Sequence, residues 1–312
     1  MPFDRITLAS PTGATLSLNV GKPLVPPRAV VMICHGMGEH SARYVAFAEA
    51  LNAHGFAVFA HDHRGHGLTT ASDAPPMRFA WRSGAERVIE DVLAVRDHAE
   101  RDYPGLPVIL FGHSMGGLIA LNVGLKAPQR FAGVAPWNMN AVASPLLVAA
   151  ARLVLGIEQA LKGSDVPSLI LPALTFQMWN KAIPDMKTEA DWLSHDPAVI
   201  EAVLADPLCG KPATVSMWRD IFDLITGWKP LVDQAGAART LPFFLAGGGE
   251  DPSTDHGKAL SVLAARLEKF GFTSVKKAIY RNSRHETLLD REREQAISDF
   301  IGWCDSVLKR QG

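Results

Sequence analysis

The segment Gly112-His113-Ser114-Met115-Gly116 sets a serine two residues from a glycine on either side. A serine hydroxyl is a weak nucleophile until a base takes its proton, and the base in turn needs an acid to fix its tautomer. Of the eleven histidines, His285 is the best placed, in the run Arg281-Asn-Ser-Arg-His-Glu286 between a strand-like stretch and the last helical pattern. Asp251 stands on a loop that follows a strand-like stretch at 241–246 and three consecutive glycines. Glu250 and Asp255 compete with it on the same loop. Attack on a carbonyl builds negative charge on oxygen, which backbone N–H groups must meet. Met115 offers one N–H by following the serine. Met37, in His35-Gly-Met-Gly-Glu-His40, offers the second from a loop whose small residues let backbone approach substrate.

These residues work together only if the chain brings them to one place. Apolar runs at 29–34, 56–60 and 107–111 read as buried strands, and helical spacing covers 44–54, 83–101 and 116–126. Residues 6–10 and 14–20, split by Pro11-Thr-Gly13, predict a hairpin. Alternating strands and helices with strands apolar on both faces predict a mostly parallel central sheet flanked by helices, an α/β fold. Ser114 then lies at a strand-to-helix turn, a strained position that exposes the hydroxyl. There Gly112 and Gly116 avoid collision with neighbouring backbone.

From 136 to 236 the strand pattern gives way to helical runs at 145–162, 170–180, 198–205 and 214–226. This predicts a helical cap inserted into a core made of 1–135 and 237–312. The strand–helix alternation resumes with 243–246, 259–270, 275–280 and 294–309. Five of the seven tryptophans fall in the insertion, and Trp137, Trp179 and Trp218 are expected to line an apolar pocket there. Packing of the cap helices onto the core is the competing use of each ring. The insertion holds seven Lys/Arg against eleven Asp/Glu, which disfavours a basic patch for anionic lipid.

The chain is 312 residues long, 47% hydrophobic and 20% charged, with a formal charge of −1. That is ample for a large core and excludes both a disordered chain and a strongly basic nucleic-acid binder. Three widely spaced cysteines, Cys34, Cys209 and Cys304, form neither a disulfide framework nor a zinc pattern and fit a reducing compartment. Asp4 and Arg5 near the start do not suit a signal peptide, and the most apolar stretch, 141–156, is shorter than the roughly 20 residues of a spanning helix. A cytoplasmic protein without a transmembrane segment is expected.

His61-Asp-His63-Arg-Gly-His66 spaces three histidines like the first metal cluster of the metallo-β-lactamase fold. Gly65 stands where that cluster expects an acid, and no second cluster follows. Asp62 and Arg64 are therefore expected to pin the loop by hydrogen bonds and ion pairs.

With Cys34-His-Gly-Met-Gly-Glu-His-Ser-Ala-Arg-Tyr44, His61-Asp-His-Arg-Gly-His-Gly67, Gly112-His-Ser-Met-Gly-Gly117 and the Asp251 and His285 loops, the chain resembles the monoacylglycerol lipase and lysophospholipase branch of the α/β-hydrolases, sometimes grouped with serine aminopeptidases. The resemblance implies the α/β-hydrolase fold, Ser114, Asp251 and His285 as a triad, Met37 and Met115 as oxyanion donors, and a cap that receives an acyl chain. It implies hydrolysis of monoacyl lipids or similar small esters, with no cofactor and no metal. Two other readings stay open: a peptidase or amidase of the same fold, favoured by an acidic recess, and a non-catalytic ligand-binding protein, for which a complete triad would be superfluous.

Overall fold

The structure, a computed structural model, describes residues 3–234 and 238–310. Eight strands form one sheet in the order β1-β2-β4-β3-β5-β6-β7-β8. They are β1 (Asp4–Ala9), β2 (Thr15–Gly21), β3 (Ala29–Cys34), β4 (Phe56–His61), β5 (Val108–His113), β6 (Gly133–Trp137), β7 (Phe243–Gly248) and β8 (Val275–Tyr280). The hairpin expected at the start is β1–β2, and β2 pairs antiparallel with β4. All other neighbours are parallel.

Both faces of the sheet are covered, as apolar parallel strands require. One face packs α2 (Gly84–Asp102), α3 (Met115–Lys126) and α9 (Lys258–Lys269) over residues such as Val30, Leu110 and Leu245. The other packs α1 (Val45–Ala53) and α10 (Arg293–Leu308) over Val31, Phe111 and Phe244.

β6 is the strand that hydrophobic pattern alone misses. Pro136 sits inside it, opposite Gly112 of β5, and a proline argues against a central strand because it cannot donate to the ladder. The pairing of β6 with β7 is correspondingly sparse, at Val134↔Phe243 and Trp137↔Ala246. The strand also moves the expected boundary of the insertion. Pro136 and Trp137 are core-sheet residues, and the far boundary, Gly236 and Ala237, lies outside the described residues.

Between β6 and β7 the chain forms α4 (Pro145–Lys162), α5 (Ile170–Leu174), α6 (Phe176–Lys181), α7 (Pro197–Ala205) and α8 (Val215–Gln234). The single helix expected at 170–180 breaks at Thr175, whose φ of −125° and ψ of −93° are not helical. α8 runs past the expected end at 226 and carries Pro230 within it. It packs on α3 and α4, and Trp228 is completely buried, donating its indole N–H to the carbonyl of Ala141 at 3.0 Å. α8 also lies against α2. Among the described residues no helix is long and apolar enough to cross a membrane.

Candidate active site

The strand order reverses between β3 and β5: β4 lies to one side of β3, while β5 and its successors lie to the other. In open α/β sheets the crevice at the carboxyl ends of such strands receives ligands. The Met37 loop leaves β3 there and Ser114 leaves β5. Register aligns the strand ends, with Cys34 opposite Gly112 and His113 opposite Trp137.

Ser114 caps α3 with φ 55° and ψ −119°, a sparsely populated conformation for a residue with a side chain. Its own N–H is held by the carbonyl of Trp137 at 2.9 Å. The expected need for glycine on both sides is met. A Cβ at Gly112 would collide with the carbonyl of Gly116, and one at Gly116 with the carbonyl of Cys34. The Met115 N–H stands in the first turn of α3, where no intrahelical acceptor exists, while Met37 is half-buried across the crevice.

Asp251 and His285 come together from the loops after β7 and β8. His285 Nδ1 lies 3.0 Å from Asp251 Oδ2, and Asp251 is fully buried. The Ser253 hydroxyl donates to Asp251 Oδ1 at 2.6 Å and also lies 3.0 Å from His285 Nδ1. The Asn138 amide donates to Asp251 Oδ2 at 3.3 Å, and Thr287 Oγ1 donates to Asn138 Oδ1 at 3.0 Å. Burial alone would raise the Asp251 carboxyl. His285 and the Ser253 and Asn138 hydrogen bonds outweigh it and hold Asp251 below the usual range, so it stays ionised. The competitors are engaged elsewhere: Glu250 with His195 at 3.1 Å, and Asp255, exposed, with Lys258 at 3.2 Å.

Beneath the site lies a buried charge network. Arg43 makes a bidentate pair with Glu286 at 2.7 and 2.6 Å and reaches Glu39 at 2.6 Å. Glu39 accepts the Gly36 N–H at 2.5 Å and the Tyr44 hydroxyl at 2.8 Å. Arg43 thereby ties the Met37 loop to the residue after His285. Burial pushes the Glu39 carboxyl up, but Arg43 and His113 hold it well below its usual range. His113, whose Nε2 lies 3.0 Å from the His285 carbonyl, is lowered by burial but raised overall by its contact with Glu39. Sequence reasoning singled out neither this network nor Asn138 and Ser253. Its signal was present only as polar residues inside the runs quoted for their resemblance.

The three expected pocket tryptophans separate. Trp137 is a correction: its side chain packs in the core against Phe111, Phe244 and Phe300 at centroid distances of 5.3, 5.3 and 5.9 Å. Alternation along β6 points it under the sheet rather than at the crevice. Trp179 and Trp218 belong to one aromatic cluster with Phe176 and Trp192. Trp192, not among the expected residues, lies over His285 with ring centroids 4.6 Å apart. Its segment is bonded to the histidine loop: the Glu286 N–H donates to the carbonyl of Leu193 at 2.7 Å, and Arg284 donates to the carbonyls of Asp191 and Ser194.

His35 meets His63 and His66, and His61 meets His63, through tilted or edge-on ring contacts in a buried group, with centroids 4.4 to 5.2 Å apart. No three of their nitrogens converge as ligands among the described residues. Asp62 and Arg64 pin this loop as expected. Asp62 accepts from Ser41 and Leu68, and the fully buried Arg64 pairs with Asp91 at 2.8 Å.

The family described as serine aminopeptidase, S33, matches residues 25–292. The chain belongs to that family and is a serine hydrolase of the α/β-hydrolase fold. It is 29% identical to a monoacylglycerol lipase of Mycolicibacterium smegmatis over 95% of either chain. It is 30% identical to a monoglyceride lipase of Mus musculus over 82% of this chain and 76% of the relative. Among solved structures, a thermostable carboxyl esterase from Bacillus coagulans in complex with glycerol superposes with a TM-score of 0.86 at 24% identity, over 99% of each chain.

Proposed function

We propose that the protein hydrolyses carboxylic esters of monoacyl lipids, monoacylglycerols or lysophospholipids, through an acyl-enzyme. Ser114 attacks the ester carbonyl while His285 takes its proton. Asp251 holds His285 and balances the imidazolium. The Met37 and Met115 N–H groups receive the oxyanion. His285 then protonates the leaving alcohol, and water resolves the acyl-enzyme by the same route.

The observation that carries this reading is the 3.0 Å Asp251–His285 contact at the carboxyl end of the sheet, the end that also presents the strained Ser114, with the Trp192 ring over His285. The lipid character is supported by the cap's outer surface. Leu146, Leu153, Ile157 and Leu161 of α4 are 81%, 66%, 52% and 77% exposed, and Leu169, Leu174 and Met178 continue the apolar area. A surface of that kind suits contact with a lipid aggregate. The names of the M. smegmatis and mouse relatives agree with it. A peptidase would need an uncompensated carboxylate for the substrate ammonium, whereas Glu39 and Glu286 are both paired with Arg43. Three free, buried thiols fit a cytoplasmic setting.

The test is hydrolysis of p-nitrophenyl esters from acetate to palmitate and of a monoacylglycerol, with Ser114→Ala alongside. A maximum at medium or long chains, lost in the variant, supports the proposal. A maximum at acetate points to small esters, and faster cleavage of an aminoacyl anilide points to a peptidase. Activity surviving in Ser114→Ala sinks the nucleophile assignment.

A further inference from the structure

The chain between β6 and β7 also meets the Met37 loop through a short turn. After α7 the chain runs Asp206-Pro-Leu-Cys-Gly210, and the Cys209 N–H closes the turn on the Asp206 carbonyl at 3.0 Å. Asp206 Oδ1 accepts the Leu208 N–H at 2.8 Å, while Oδ2 faces His40 Nε2 at 2.8 Å. Gly210 follows with φ +69°, and its N–H donates to the carbonyl of Gly38 at 2.9 Å. Two potential ligands three residues apart on a closed turn, followed by a left-handed glycine, reproduce the way a zinc knuckle aims two side chains at one point. A histidine from another segment completes the set. The ligand atoms of His40, Asp206 and Cys209 all lie within 4.8 Å of one another.

We infer that His40, Asp206 and Cys209 bind a thiophilic divalent cation, Zn²⁺ by their donor set, which staples the cap turn to the loop that carries Met37. Thiolate, imidazole and carboxylate are the three protein ligands that Zn²⁺ accepts, with water able to fill the fourth position. His40 and Cys209 are buried, and the partly exposed Asp206 gives the ion a path inward. Arg43 is the nearby cation, and its charge is balanced by Glu39 and Glu286. Burial pushes the Cys209 thiol up to about 12, so the ion must displace the thiol proton to solvent as the Zn–S bond forms. No step of the proposed ester hydrolysis passes through this ion.

The experiment is a Co²⁺ titration of the full-length, metal-stripped protein, followed by displacement with Zn²⁺. The expected result is one Co²⁺ per chain, with a thiolate-to-cobalt charge-transfer band and the d–d bands of a tetrahedral site. Cys209→Ser should lose the charge-transfer band, and Asp206→Asn should weaken Co²⁺ binding roughly tenfold or more. Zn²⁺ should raise the Tm of the parent but not of Cys209→Ser, with fluorophosphonate labelling of Ser114 reporting that both variants are folded. Absence of the band in the parent overturns the site. So does its survival in Cys209→Ser, which would move the ligand to Cys34 or Cys304, or unchanged affinity in Asp206→Asn.

Discussion

Asn138, buried beside Asp251, shows how the proposed chemistry rests on residues behind the triad. It sits just past β6 with φ 49°, a left-handed conformation that asparagine tolerates better than most residues. Its N–H is fixed by the Ala246 carbonyl at 2.8 Å, and its side chain spans Thr287 and Asp251. Asn138→Ala removes a hydrogen bond to a buried carboxylate, an interaction of about 1.5–3 kcal/mol. The expected outcome is a fall in kcat of roughly tenfold or more, with KM nearly unchanged and fluorophosphonate labelling slowed in parallel. Steady-state kinetics of the variant check it, and an unchanged kcat would remove Asn138 from the Asp251 support.

Among the elements, the helices and turns between β6 and β7 differ in what they meet. The 191–196 segment is bonded to the histidine loop, the 206–210 turn to the Met37 loop, and α8 to α3. α4 is different, since it buries Val148 and Leu155 on one face and exposes leucines on the other. Leu153→Glu with Leu161→Glu should therefore lower turnover of an emulsified monoacylglycerol at least several-fold, while a soluble short-chain ester is cleaved as before. Equal loss on both substrates would mean that the charges disturb the fold instead. On α8, burial and then the neighbouring Asp223 raise the Asp220 carboxyl to about 7. The folded protein holds this proton while the unfolded chain releases it near its ordinary carboxylate value. Stability therefore falls as pH rises through that interval. Asp220→Asn should match the parent Tm at acid pH and exceed it above pH 7, as a series of melts would show.

Taken whole, the molecule buries several neutral imidazoles behind the Met37 loop. Burial lowers His61 and His66 to about 3 and also lowers His35 and His63. In the unfolded chain each binds a proton near its ordinary value of about 6.5. Their contribution is complete above that pH and is lost as pH falls toward the folded values. His113, raised by Glu39, acts in the opposite direction but is a single group against four. Melting temperature should drop steeply below about pH 6, with net proton uptake on unfolding. A Tm independent of pH between 4 and 8 would contradict the neutral, buried state of these rings.

Sequence alone determined the parts whose physics is local. Strand and helix periods and the glycines around Ser114 follow from residue type and spacing, and the sheet order then sets the loops after β5, β7 and β8, which carry the proposed Ser114, Asp251 and His285, at the carboxyl end of the sheet. Tertiary structure decided what depends on residues distant in the chain. β6 was hidden by Pro136, which a central strand tolerates here because its neighbour β7 makes few bonds to it. The side of the sheet that Trp137 faces followed from that strand, and Trp192 met His285 only through pairing across 93 residues. The same holds for Arg43 between Glu39 and Glu286, and for His40 beside Asp206 and Cys209. A single sequence records that such side chains exist. Their pairing depends on which loops the closed sheet sets side by side, and periodicity carries no trace of it.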